Sequence, residues 1–216
     1  MNDYRAILRR VGFVLLAVGI ADIAFMVYCI MNNQNYSSSL NLFAVVAAIF
    51  LIRGGLKTAR VVTWFSAFMF TGLIGAMLFL VPFQKPFGLW VIEFRLDAIS
   101  VIASVILSVA AMALLAWVYM QLRSPAVVAA RVEAGQTAEP PKLAFAMGAV
   151  LALSLGVIMH FTLNGDAGAK AIALAKTQHG SNFDYQVTAM RWGDNHVSAT
   201  LTAYNASEIK SVQVEW

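Results

Sequence analysis

Long apolar stretches alternate with short polar connectors along most of the chain. Five stretches have the length and apolarity of membrane-spanning helices: residues 11–31, 38–55, 61–81, 98–120 and 143–163. The connector from Arg53 to Arg60 is basic and contains two adjacent glycines. This pattern predicts a helical hairpin with a cytoplasmic turn, because lysine and arginine near the ends of spans are retained on that side.

The distribution of basic residues predicts the orientation of all five spans. Nine lysines and arginines fall in segments assigned to the cytoplasm, against two, Lys85 and Arg95, in the outer connectors. The cytoplasmic linker, residues 122–142, is expected to contain a short surface helix near residues 126–134. The bias predicts a multi-pass protein of a bacterial-type inner membrane, with a cytoplasmic N-terminus and an extracytoplasmic C-terminus.

The composition suits a surface that faces lipid. The chain of 216 residues is 60% hydrophobic and 12% charged, whereas a soluble domain has about 25% charged residues. The net charge of +4 does not indicate nucleic acid as a partner, because the basic residues lie in short connectors rather than on one soluble face. The first apolar stretch is too long for a signal-peptide core and is expected to be a retained span.

After residue 163 the composition becomes that of a soluble segment. Asn164 or Asp166 is expected to cap a helix that ends near Gly180, and three alternating stretches follow. The predicted core-facing residues are Phe183, Tyr185, Val187 and Ala189, then Val197, Ala199, Leu201 and Ala203, then Val212, Val214 and Trp216.

The predicted fold is therefore a membrane all-α bundle of five transmembrane helices, residues 1–163, followed by a small α+β extracytoplasmic domain, residues 164–216. That domain has one helix and a three-stranded antiparallel meander. A unit of about fifty residues is marginally stable alone, so we expect it to lean on the outer connectors or on a partner. The last strand is expected to offer an open edge for strand addition.

Asp22 lies near the middle of the first predicted span. An ionisable side chain at that depth is energetically costly and usually faces the interior of a bundle. No lysine or arginine lies at matching depth in another predicted span. Two hypotheses remain: a proton or cation site, or a carboxyl that holds helices together by hydrogen bonding.

Small residues recur every fourth position along the fifth predicted span, at Gly148, Ala152 and Gly156. Such a ladder lets two helix backbones approach closely. It favours packing within the bundle, with contact to another subunit as the alternative.

Aromatic side chains are concentrated in the tail. Trp192, Tyr204 and Trp216 are candidate partner-binding residues, since exposed tryptophan and tyrosine are enriched at recognition surfaces. The alternative is that they form the core of the small sheet.

No motif for catalysis, cofactor binding or metal binding is recognisable. The three histidines form no pair at matched depth in the spans, which argues against haem, and His179 with His196 supplies too few ligands for a metal site. Glu93, Arg95 and Asp97 alternate along an outer connector, which is compatible with an enzyme site or with a charge network at the membrane surface. We predict a protein that is not an enzyme and has no cofactor.

The tail, with a helix over residues 167–179 and short strands over residues 183–216, resembles the extramembrane domain of the cytochrome oxidase assembly factor family. Members of that family anchor a small helix-plus-sheet domain with a membrane helix, which here is the fifth predicted span. The resemblance covers about a quarter of the chain, and four additional predicted spans precede it. It implies an assembly or accessory role and carries over no functional residue.

The leading hypothesis is a membrane accessory or assembly protein, surrounded by lipid, that presents its tail domain to a protein partner in a membrane complex. The alternative is a small proton-coupled transporter or channel that uses Asp22.

Overall fold

A computed structural model describes residues 3–33, 41–193 and 196–216. The chain is mostly helical and ends in a three-stranded antiparallel sheet, as predicted. The helices are α1 Asp3–Met31, α2 Asn41–Ile52, α3 Leu56–Gly75 with a π-helical continuation Ala76–Leu80, α4 Val81–Gln84, α5 Phe87–Leu96, α6 Ala98–Leu122, α7 Pro125–Glu133, α8 Lys142–Asn164 and α9 Asp166–His179. The strands are β1 Asp184–Trp192, β2 Val197–Tyr204 and β3 Ile209–Glu215.

Four of these helices are long and apolar enough to cross a membrane, which indicates a multi-pass membrane protein. They are α1, α3 with its π-helical continuation, α6 and α8. Many of their large apolar side chains are exposed, as lipid-facing positions require. The second predicted span contains only α2, whose 12 residues extend about 18 Å, and residues 38–40 of that span lie outside the described residues.

The chain divides into two compact units, one formed by residues 1–70 and 113–145 and the other by residues 71–112 and 146–216. In the first unit, α1 and α2 pack side by side. A Cβ on Gly12 would lie 2.7 Å from Ile52 Cγ1 and 2.9 Å from the Ala48 carbonyl oxygen, so only glycine permits this approach. Gly54, with a φ of +84°, makes the turn after α2.

The core of the first unit is aliphatic and includes part of the linker. Leu8, Val11, Leu51 and Leu122 are fully buried in it. The linker contains the expected short helix, α7, and its outer face is exposed, as expected of a surface helix. One face of α7 is buried, because Val127 joins the core against α1 and Arg131 is covered with it.

In the second unit, α8 packs against the end of α3 and its π-helical continuation. Gly148 faces Gly72, Ala152 meets Gly75, and Gly156 lies against Phe79. Residue numbers rise together on both sides of this contact, so the two helices run in the same direction.

The segment between α3 and α6 contains two short helices, α4 and α5. Pro86 precedes α5 as its N-cap, where proline costs no hydrogen bond. Glu93 and Arg95 lie on a helix that ends before Asp97, and residues two apart on a helix do not share a face.

The sheet has the order β1-β2-β3, with antiparallel pairing throughout. Tyr185 and Val187 face the core as predicted, but Ala189 does not, because Thr188 forms a β-bulge that shifts the register. After the bulge Met190 packs against the core and Ala189 is exposed.

Helix α9 covers the core face of the sheet with Ala171 and Ala175, both fully buried. The expected caps are wrong: α8 continues through Asn164, and Gly165 is the N-cap of α9 without a side-chain hydrogen bond. Gly180 ends α9 with a φ of +94°, as predicted. Leu163 at the end of α8 is part of the same core, so the tail domain is packed onto its anchoring helix.

Candidate functional site

The outer edge of β3 is the part of the tail domain best suited to bind a partner strand. Val197 and Trp216 exchange two backbone hydrogen bonds, of 2.8 and 3.0 Å. In an antiparallel ladder such bonded pairs alternate with unbonded pairs. The amide and carbonyl groups of Ser211, Gln213 and Glu215 therefore point away from β2, and in the described chain they have no backbone partner.

The opposite edge of the sheet is less accessible to a partner. The bulge at Thr188 distorts β1, and the Thr188 hydroxyl donates to the Thr200 carbonyl at 3.0 Å. Helix α4 contacts β1. Bulges and covering elements are ordinary means of protecting a sheet edge, which leaves β3 as the regular one, since its register with β2 is continuous.

The candidate aromatic residues lie at opposite ends of the sheet. Trp192 and Trp216 lie at one end of the sheet, on either side of Val197, which pairs with both. The side chain of Trp192 is 57% exposed. Trp216 packs partly against the core, with the Lys170 ammonium 5.4 Å from its ring centroid. Tyr204 lies at the far end, half-buried, so the three do not form one patch.

Tyr204 is paired across the sheet with Asp184. Burial raises the pKa of the Tyr204 hydroxyl, and the charge of Asp184 raises it further. The phenol therefore stays protonated at neutral pH and is available as a hydrogen-bond donor.

The tail domain is supported by the segment between α3 and α6. Lys85 Nζ lies 2.9 Å from both carboxylate oxygens of Glu93 and 5.6 Å from the centroid of the Trp90 ring. Glu93 and Trp90 are three residues apart on α5, so Lys85 binds one face of that helix. Ile209 of β3 lines the same cavity, of about 510 Å³, as expected for a domain that leans on this connector.

Asp97, in the same cavity, has a structural partner of its own. Its carboxylate accepts a hydrogen bond from the Ser100 amide at 3.1 Å at the start of α6. Hydrogen bonds from the Ser100 side chain and amide lower the pKa of Asp97. Glu93 and Asp97 are thus each held by a neighbouring group, and Arg95 is exposed.

Asp22 is half-buried on α1 and has an interaction partner. The ladder of Gly148, Ala152 and Gly156 is occupied by contacts within the chain.

Of the histidines, His179 and His196 are exposed, and His160 Nδ1 lies 3.4 Å from Asn164 Nδ2. Within residues 3–33, 41–193 and 196–216 no three His, Cys, Asp or Glu side chains are grouped as metal ligands.

Two basic residues have structural roles that the sequence pattern did not reveal. Lys85 appeared only as an outer-loop charge, yet it binds Glu93 of α5. It lies between α4 and α5, so neither the helical nor the strand period predicts this contact. Arg131 appeared only as a cytoplasmic charge, yet it is 3% exposed. The sequence did contain one indication of this burial. Arg131 lies between Ala130 and Val132 and follows the apolar pair Val127-Val128 at helical spacing.

No protein-family model matches the chain, and no curated protein or solved structure matches it either. The resemblance to the cytochrome oxidase assembly factor family therefore stays a prediction from the pattern of the tail.

Proposed function

We propose that this chain is a non-catalytic accessory or assembly protein of an inner membrane that presents its C-terminal α+β domain to a partner membrane complex. The proposed partner adds an extended segment to the outer edge of β3, where backbone groups supply affinity and neighbouring side chains supply selectivity.

The regular, unpaired edge of β3 is the observation that carries this proposal. Ser211, Gln213 and Glu215 present their side chains on the solvent face, and all three are exposed. A sheet of three strands with one protected edge and one regular edge has a single direction in which it can be extended. The anchoring of the domain on Leu163 and near Ile209 holds that edge close to the membrane helices.

We further propose that five spans place this domain outside the cytoplasm. If α2 did not cross, the basic turn from Arg53 to Arg60 and the basic N-terminal segment would lie on opposite sides, against the positive-inside bias.

Replacing Gln213 by proline is the direct test of strand addition. The backbone N–H of Gln213 points away from β2. Proline at this position therefore removes a donor from the outer edge and adds a ring there, and the backbone hydrogen bonds between β3 and β2 are kept. We expect Gln213→Pro to abolish recovery of the partner in mild-detergent affinity purification with crosslinking.

Gln213→Ala is the matched control, because it changes the same exposed side chain and keeps the backbone N–H group. We expect it to recover the partner in the same defined ratio as the unmodified protein. A full-length protein that purifies as a monomer with no stable partner, or a partner retained equally by the proline and alanine variants, contradicts the proposal.

A further inference from the structure

A basic pocket with a volume of about 260 Å³ lies in the first unit, and no residue of the tail domain lines it. Its lining contains three cationic side chains, Arg60 at the start of α3, Arg131 on α7 and Lys142 at the start of α8, and one carboxylate, Glu139. Arg60 and Lys142 are exposed, whereas Arg131 is buried. The pocket therefore has a positive rim and a positive floor.

Arg131 is the unusual member of this set. Its Nη2 donates to the Thr137 carbonyl at 3.0 Å, but its Nε has no hydrogen-bond partner. Within the described chain no carboxylate lies within 4.0 Å of its guanidinium. Burial, with Arg123 and Arg60 nearby, lowers the pKa of Arg131, yet arginine remains charged in proteins. A buried charge without a counter-ion is costly, and an anion in the pocket would offset that cost.

Glu139 does not serve as the missing counter-ion. Its side chain is exposed and forms no ion pair with Arg60, Arg131 or Lys142 in the part of the chain that the structure describes. The pocket lining therefore has a net positive charge, and Arg131 Nε in it has no acceptor.

The pocket is built in advance by local backbone bonds. Gly135, with a φ of +72°, ends α7, and the Gln136 amide donates to the Arg131 carbonyl at 2.8 Å. Arg123 Nη1 donates to the Ala138 carbonyl at 2.6 Å. These bonds fix the linker as one wall, and Trp64 of α3 lines the pocket with it.

We propose that this pocket binds a phosphate-bearing anion, with Arg131 at its floor and Arg60 and Lys142 at its rim. Guanidinium groups match the oxygens of a phosphate through paired hydrogen bonds, and an ammonium adds a point charge. Such a group belongs either to an anionic phospholipid headgroup or to a free phosphorylated solute. Basic pockets between membrane helices bind lipid headgroups, and Leu143, 66% exposed beside Lys142, offers adjoining apolar surface for an acyl chain.

The test compares two double variants of equal charge in the full-length protein. Arg60→Gln with Lys142→Gln removes both rim charges, whereas Arg53→Gln with Lys57→Gln removes two cations that do not line the pocket. Binding is measured by native mass spectrometry and thermal shift with phosphatidylglycerol, with phosphatidylcholine, and with inorganic phosphate and pyrophosphate. We expect the pocket pair to weaken anion binding by at least about tenfold and the control pair by less than about twofold.

The arms distinguish the source of the phosphate. Pocket-dependent retention of phosphatidylglycerol but not phosphatidylcholine identifies a headgroup, and pocket-dependent binding of phosphate or pyrophosphate identifies a solute. Equal losses in the two double variants, or no anion binding by the unmodified protein, overturn the proposal.

Arg131→Met provides a second readout that a purely structural role would not produce. It removes the unpartnered charge and keeps an apolar stem of similar length. We expect the ligand-free variant to have a Tm no lower than that of the unmodified protein, but to lose the increase in Tm that the anion gives. A large fall in Tm without ligand shows instead that Arg131 is required for folding and contradicts the proposal.

Discussion

Single small residues decide how closely the membrane helices approach. Gly75 is the tightest case in the contact between α3 and α8, because a Cβ built there would collide with the Ala152 methyl group. Gly88 on α5 is the opposite case, since a Cβ there would meet nothing within 4 Å. The same residue type therefore has a packing role at one position and none at the other.

We expect Gly75→Ala to destabilise the protein by about 1–3 kcal/mol, because the added methyl overpacks a close helix contact. Gly88→Ala is the control and is expected to be neutral or slightly stabilising, since alanine is the better helix former. Chemical or thermal unfolding of both variants in the same detergent measures the difference. Equal stability of the two variants would mean that α3 and α8 do not meet at Gly75.

At the scale of elements, β1 shows how one inserted residue redirects a strand. Simple alternation assigns Ala189 to the core, but the bulge at Thr188 turns Met190 inward and leaves Ala189 exposed. Bulges also increase local twist and interrupt pairing. The bulge thus accounts both for the residues that form the core and for the edge of β1 being the less suitable one for a partner.

Two lysine substitutions at neighbouring positions test the bulge. We expect Met190→Lys to lower stability by about 2 kcal/mol or more, because a charge replaces an apolar contact with the core. Ala189→Lys is expected to change stability by less than about 0.5 kcal/mol, since the position is exposed. Thermal unfolding is the measurement. If Ala189→Lys were the more destabilising substitution, Ala189 would face the core and β1 would have no bulge.

At the scale of the whole molecule, the positions of the basic residues and the direction of the helices agree. Arg60 and Lys142 begin two parallel helices, and both line one pocket with Arg131 of the linker. Residues that the sequence assigns to the same side of the membrane are thus neighbours in the structure. These two helices are parallel whether or not α2 crosses, so the proposed five-span topology depends on the basic N-terminal segment and the basic turn after α2 sharing one side.

Reporter fusions test that topology. Alkaline phosphatase fused after Trp216 is expected to be active, because the tail is proposed to be extracytoplasmic, and a fluorescent protein fused after Lys57 is expected to fluoresce in the cytoplasm. A fluorescent protein after Trp216 serves as the control and is expected to be dark. A fluorescent reporter at Trp216 would place the tail in the cytoplasm and contradict the proposed topology.

The sequence alone determined the apolar helices, the change of composition after residue 163 and the antiparallel meander, because helix and strand periods and the cost of exposing apolar surface are local properties. It determined α7 as a helix but not the burial of Arg131. It also did not determine the Lys85–Glu93 pair, the bulge at Thr188 or the partner helix of the Gly148 ladder. Those features depend on which distant segments meet, and only tertiary packing fixes that, because a side chain's cost or benefit is set by neighbours that are remote in sequence.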